Sequence, residues 1–262
     1  MFKHLKNDGE LLWDLAKNDF KTKYAGSYFG VIWAFVQPII TILVYWLVFE
    51  YGLRVGSPIE GTPYVLWFMT GIIPWFFFSE VLNSGANCLR EYDYLVKKVI
   101  FPIKLLPIVK LISSLFVHLV FLGFLAVIYV IYGRIFTIHP LRLIYFSICL
   151  SLFSLGLIYI SSAIIVFFKD LGQIINVVLQ VGMWATPILW NYKDVVPQNI
   201  LWIFKMNPMF YIIEGYRNSM LGDVNLIFNW IQMLYNWIVI GILLIGGVKL
   251  FNKLEVHFAD VL

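Results

Sequence analysis

The chain has 262 residues, 61% of them hydrophobic and only 13% charged, with a net charge of +4 and a mean hydropathy of +0.84. A water-soluble domain carries about twice that charged fraction, so a soluble globular protein is excluded and a bilayer is the expected solvent. Cys88 and Cys149 stand far apart with no CxxC spacing, which argues against a disulfide framework or a cysteine zinc site.

In chain order, the first informative stretch is Glu10–Tyr24. Leu12, Trp13, Ala16, Phe20 and Tyr24 share one face at 100° per residue, with Asp14, Lys17, Asn18 and Lys21 mostly opposite. Two placements fit: a helix lying in the membrane interface, or an amphipathic extension packed on a partner. Trp13 and Tyr24 favour the interface, and Lys23 then has to snorkel.

Six charge-free runs follow: Ser27–Phe49, Gly61–Ser79, Leu111–Gly133, Leu143–Phe168, Leu171–Tyr192 and Val224–Val248. Each is about 19 to 26 residues long, enough for a helix to cross a ~30 Å hydrocarbon layer. The first run begins too late and is too long for a cleavable signal core, so it is expected to remain as a span. The expected fold is all-α: a polytopic membrane protein of six transmembrane helices forming one domain. Residues 1–26 lie at the interface, 27–248 form the six-span core and 249–262 form a tail.

Even span number puts both termini on one side. Roughly two thirds of the Lys and Arg residues fall on that side, among them Lys17, Lys97, Lys98, Lys104, Lys169 and Lys253, so both termini are expected in the cytoplasm.

Two long connections stand out. Asn87–Pro107, on the terminal side, reads NCLREYDYLVKKVIFPIKLLP. Asn87 can cap a short helix with Leu89, Tyr92, Leu95 and Val96 on one face, and Pro102 breaks it. It fits a lever that a partner could push, and equally a solvated loop. On the other side, Val195–Phe204 and Met206–Ile213 are two short apolar pieces split by Lys205 and Asn207–Pro208. They fit a re-entrant hairpin or a loop lying on the surface.

Ionisable residues near the spans are few. Glu50 and Glu80 fall near span ends, where water can reach them, and His118 falls within the third span. A lone intramembrane histidine suits a hydrogen-bonded packing role better than a proton relay, although such a residue is by default a functional candidate. Trp46, Trp67, Trp75, Trp190, Trp202, Trp230 and Trp237 suit an interfacial belt. Some of these rings could also line a sugar path, where apolar sugar faces pack on aromatic faces.

The sequence has no GxxxxGK[ST] loop, HExxH, GxSxG or strand-borne GxGxxG. It is therefore not expected to be an enzyme or to bind a cofactor or metal itself. Energy for uphill transport would come from a partner.

Several ordered pieces carry a resemblance. They are Lys23-Tyr24-Ala25-Gly26-Ser27-Tyr28-Phe29-Gly30-Val31-Ile32-Trp33 with Gln37-Pro38, then Gly71-Ile72-Ile73-Pro74-Trp75-Phe76-Phe77, then Phe101-Pro102 with Leu106-Pro107. Further on come Asp170, Pro187-Ile188-Leu189-Trp190, and the run from Asn207-Pro208 through Tyr211, Glu214 and Arg217 to Ser219. In order and spacing the chain resembles the type-2 ABC exporter permeases for lipid-linked polysaccharides, nearest in pattern to their teichoic acid branch. Lys169 departs from that pattern, which has Arg before the Asp; the charge is kept but the bidentate fork is lost.

The resemblance implies a homodimer with two copies of a separate ATPase, which would bind ATP and Mg. It implies a bacterial plasma-membrane location and no nucleic-acid partner. Arg90, Tyr94, Leu95, Lys97 and Lys98 would contact the ATPase. The helix bearing Trp13, Phe20, Lys21, Lys23 and Tyr24 would be a gate helix at the lipid-access side, with Lys21 and Lys23 placed to engage a diphosphate. Trp202, Asn207, Pro208, Tyr211, Glu214 and Arg217 would belong to a re-entrant segment closing the outer mouth. The implied substrate is an undecaprenyl diphosphate teichoic acid precursor, with O-antigen or capsule-type polysaccharide as the alternative. A secondary carrier or lipid-modifying enzyme is the distant alternative.

Overall fold

The computed structural model describes residues 2–59, 61–97, 101–134, 137–222 and 230–262. All regular elements among them are helical, as a lipid solvent demands of a chain that must satisfy its own backbone. The longer helices are α1 Phe2–Lys23, α2 Trp33–Trp46, α3 Tyr64–Ala86, α4 Leu106–Ile131, α5 Pro140–Ile165, α6 Leu171–Ala185, α7 Pro208–Leu221 and α8 Trp230–Leu254. Proline stands in the first turn of α4, α5 and α7, where its missing N–H costs nothing.

Five helical stretches among the described residues are long and apolar enough to cross a membrane: Gly30–Gly52, Tyr64–Ala86, Ile103–Ile131, Pro140–Ile165 and Trp230–Val261. The run Leu171–Tyr192 differs from its expected form. It is helical for only 15 residues, or about 22 Å, because Pro187 forces Thr186 into an extended conformation (φ −86°, ψ 136°).

The centre is α3. Of its most apolar window 83% is buried, against 11% for the stretch containing α2 and 17% for that containing α8. α3 therefore packs against protein on nearly all sides, whereas α2 and α8 present most of their surface outward. Within a bilayer apolar burial alone drives little, and close backbone approach matters more. The α5–α8 crossing shows this: a Cβ on Gly247 would lie 2.7 Å from the Gly156 carbonyl oxygen, and one on Gly156 2.9 Å from the Leu243 backbone.

Both termini meet at one end of the bundle. A second apolar cluster there joins Cys88, Leu89 and Val96 to Tyr159 of α5, Phe251 of α8 and Phe258 of the C-terminal turn. Asp19 of α1 reaches the same region through Lys110 and Tyr92. The connection between α5 and α6 lies at this end too, since Lys169, Gly172 and Gln173 share a cleft with Asn83, Asn87 and Arg90.

Candidate transport site

α1 does not simply float in an interface. It docks on α4, with Trp13 and Phe20 edge-on to Phe116 at 5.3 and 5.9 Å. Ala16 and Asp19 are buried, while Trp13 and Lys21 are exposed and Phe20 and Tyr24 are half-buried. Lys23 pairs with Glu80 of α3. This pair borders a cavity of about 320 Å³ between α2, α3 and α4, lined also by Trp33, Gln37, Phe77 and His118. His118 Nε2 lies 3.0 Å from the Tyr216 hydroxyl, which meets Ser147 Oγ at 2.7 Å. Its Nδ1 has no partner. Glu80 and His118, unrelated in sequence, thus share one cavity.

The connection after α3 is two helical turns, Cys88–Glu91 and Asp93–Val96, broken at Tyr92 (φ −108°, ψ 34°). Leu89 and Val96 are buried, Tyr92 and Leu95 half-buried, and Arg90, Tyr94 and Lys97 exposed, as the predicted face requires. Lys97 lies 3.7 Å from Asp93. Lys98 lies outside the described residues. The expected cap is absent: the Asn87 side chain caps no N–H but donates to the Asn83 carbonyl at 3.0 Å. Burial pushes the Cys88 thiol up to about 12, so it stays protonated and is no nucleophile.

Sequence reasoning missed the link between these two segments. Lys110, buried near the start of α4, donates to Asp19 Oδ1 at 2.7 Å and to Glu91. The Tyr92 hydroxyl donates to the same Asp19 oxygen at 2.7 Å. Burial, reinforced by the Asp19 carboxylate, raises the Tyr92 hydroxyl above the ordinary phenol range. The signal was present in Asp19, which falls between Ala16 and Phe20 on the side of α1 read as apolar.

At the far end, the outer segment divides between the short helix Leu201–Lys205, with Trp202 exposed, and α7, which is largely buried. Asn207 accepts the Met209 N–H at 3.0 Å and donates to Thr186 Oγ1 at 3.2 Å. Pro208 starts α7, and Gly222 ends it in the left-handed region (φ 69°), as a C-terminal glycine does. The turn at Met206 sits beside α8, where the Tyr235 hydroxyl donates to its carbonyl at 2.9 Å. The other end of α7 joins the loop before α5: the His139 N–H donates to the Ser219 carbonyl at 2.7 Å. The chain thus runs from a turn beside α8 back to the start of α5.

Arg217 holds this arrangement. It donates to Glu214 at 2.6 Å and to the Ile188 carbonyl at 2.9 Å, and its guanidinium lies 3.7 Å from the Trp67 ring. Tyr64 donates to the Leu189 carbonyl at 2.8 Å. These two bonds satisfy carbonyls of the non-helical backbone after α6, which could not otherwise lie among apolar groups. Tyr211 meets Tyr145 hydroxyl to hydroxyl at 3.2 Å.

The ABC-2 type transporter family model matches residues 10–221, from α1 through the last residue of α7. The chain belongs to the ABC-2 type transporter family. Two O-antigen export system permease proteins RfbA of Klebsiella pneumoniae are 28% and 26% identical to it, over 261 and 258 residues, each covering 97% of this chain and 95% of the relative. An O-antigen export system permease protein RfbA of Myxococcus xanthus is 29% identical over 208 residues, covering 79% of this chain and 78% of the relative.

As an ABC-2 permease, this is a multi-pass membrane protein, and the family implies an ABC ATPase partner and a polysaccharide substrate. The match takes in all three groups of predicted residues. The structure brings them to two ends of the bundle: the α1 and Arg90–Lys97 residues at the terminal end, the α7 group at the other. Between these ends the His118–Tyr216–Ser147 chain links α4, α7 and α5. The relatives are named for O-antigen export and not for teichoic acid, which favours the alternative substrate over the one the sequence pattern suggested.

Proposed function

We propose that this chain is the membrane half of an ATP-driven exporter that moves a lipid-linked cell-envelope polysaccharide of the O-antigen type outward across a bacterial plasma membrane. The observation carrying this reading is likeness along 97% of the chain to O-antigen export permeases. In this reading two copies assemble with two ATPases, and the termini face the cytoplasm. ATP-driven closure presses on Tyr94, Leu95 and Lys97. Lys110 passes the movement to α1 through Asp19, because the two share a buried ion pair. α7, held by Arg217, closes the outer mouth until the helices separate.

The test is reconstitution of the permease with its ATPase in proteoliposomes, with purified lipid-linked polymers added in turn. The expected result is ATPase stimulation by a lipid-linked O-antigen-type glycan. Stimulation by a teichoic acid precursor alone would overturn the choice of polymer. Purification as an ATP-independent monomer would overturn the transporter reading itself.

A further inference from the structure

Four lysines at the terminal end are matched by carboxylates among the described residues. Lys23 is paired with Glu80, Lys97 with Asp93, Lys104 with Glu255, and Lys110 with Asp19 and Glu91. Arg90 and Lys169 are different. They come from opposite sides of one cleft of about 420 Å³, between the end of α3, the Cys88–Glu91 turn and the start of α6. Neither forms an ion pair among the described residues.

The rest of the lining is polar in the same sense. Asn83, Asn87, Gln173 and Asn176 present side-chain amides to the cleft, and no carboxylate lines it. Among the described residues, the Asn87 amide is engaged with the Asn83 carbonyl, and no hydrogen bond holds the side-chain amides of Asn83, Gln173 or Asn176. Asp170, at the N-cap of α6, is exposed beside the cleft without lining it. The first turn of α6 adds the positive end of a 15-residue helix. The cleft also sits where the last turn of a buried span meets the first turn of another helix.

We infer that this cleft binds the phosphate groups of a polyprenyl-linked diphosphate at the inner membrane surface, with Arg90 and Lys169 as its two cationic arms. Arginine supplies a planar fork for phosphate oxygens and lysine a mobile point charge. The amides of Asn83, Gln173 and Asn176 complete the donor set. This assignment rests on the lipid-linked substrate proposed above, and it moves the diphosphate contact away from Lys23, whose charge Glu80 already matches. Arg90 lies on the α6 flank of the connection, whereas Tyr94 lines a separate cleft with Asp19 and Lys110 on the α1 flank. Diphosphate contact and ATPase contact therefore fall on opposite flanks of one short segment.

The experiment needs no ATPase. Full-length permease in neutral detergent is titrated calorimetrically with farnesyl diphosphate, inorganic pyrophosphate and farnesol. Farnesyl diphosphate is expected to bind most tightly, pyrophosphate more weakly and farnesol least. Arg90→Gln and Lys169→Gln should each weaken farnesyl diphosphate binding roughly tenfold, the loss of one charge-assisted contact. Lys253→Gln, an exposed lysine at the end of α8, should leave it unchanged. Wild-type affinity in both Arg90→Gln and Lys169→Gln overturns the assignment, as does equal weakening by Lys253→Gln, which would report net charge alone. Equal binding of pyrophosphate and farnesyl diphosphate overturns the lipid source. If binding behaves as expected while no lipid-linked polymer stimulates the assembled transporter, the export reading falls and the cleft assignment stands. The reverse pattern removes the cleft and keeps the exporter.

Discussion

Lys110 and Asp19 illustrate what a single buried charge demands. Both side chains are about 95% enclosed (5% exposed each), so each is stable there only while the other stays ionised beside it. Removing one partner of such a pair destabilises by about 3–5 kcal/mol, whereas removing both can be close to neutral. Lys110→Met is therefore expected to lower the thermal midpoint of the purified protein sharply, and Lys110→Met with Asp19→Asn to recover much of the loss. Equal loss in the single and double variants would show that the pair is not coupled. Cys88 gives a second check. With burial holding its thiol at about 12, little thiolate exists at pH 8, so maleimide should modify it only after denaturation. Rapid labelling of the folded protein would contradict its burial. The ion pair was only half legible in the sequence: a lysine at the start of an apolar run and an aspartate on an apolar face were visible, but which charge met which depended on how α1 crosses α4. The Asn87 cap was misread for a similar reason, because its amide found the Asn83 carbonyl one turn back in α3.

Among the helices, composition revealed most of the spans, since length and hydropathy alone select them. What it did not reveal was which helix is central. α3 and α2 have similar apolar content, yet α3 is enclosed and α2 is not. The difference lies in close contacts that depend on side-chain-free positions. Gly71 is one: a Cβ there would come 3.0 Å from Arg217 Nη2. The α5–α8 crossing is another and gives a paired prediction. Gly247→Ala places a methyl 2.7 Å from the Gly156 carbonyl, forcing the helices apart at about 1–3 kcal/mol. Gly246→Ala, one residue earlier, meets nothing within 4 Å and should be neutral or slightly stabilising through helix propensity. Thermal unfolding in detergent distinguishes them, and equal midpoints for the two variants would rule out a close-packed crossing.

The path of the chain raises a question of parity. Five spans alone would carry the two termini to opposite faces, yet α1 and the C-terminal turn both pack near the Cys88–Val96 segment at one end. The piece Leu171–Leu189 resolves this. It begins beside Asn83 and Asn87 at one end of α3, and its Leu189 carbonyl is bonded by Tyr64 at the other. Its fifteen helical residues cover about 22 Å, and the turns after them bring the chain to Tyr64, the first residue of α3. Non-helical backbone is admissible there because Arg217 and Tyr64 occupy the Ile188 and Leu189 carbonyls. Single cysteines at Lys17 and Lys253, in a background with Cys88 and Cys149 replaced by serine, should then react with a membrane-impermeant thiol reagent from the same side. The excess of Lys and Arg on that side predicts that it faces the cytoplasm, in which case labelling requires inverted vesicles. Cysteines at Arg54 and Lys193 should react in right-side-out cells. Labelling of the Lys17 and Lys253 positions from opposite sides would mean that Leu171–Leu189 does not cross. Arg217→Leu should shift the Lys193 position in the same assay, because the unpaired Ile188 carbonyl would then pull the turn after α6 toward water.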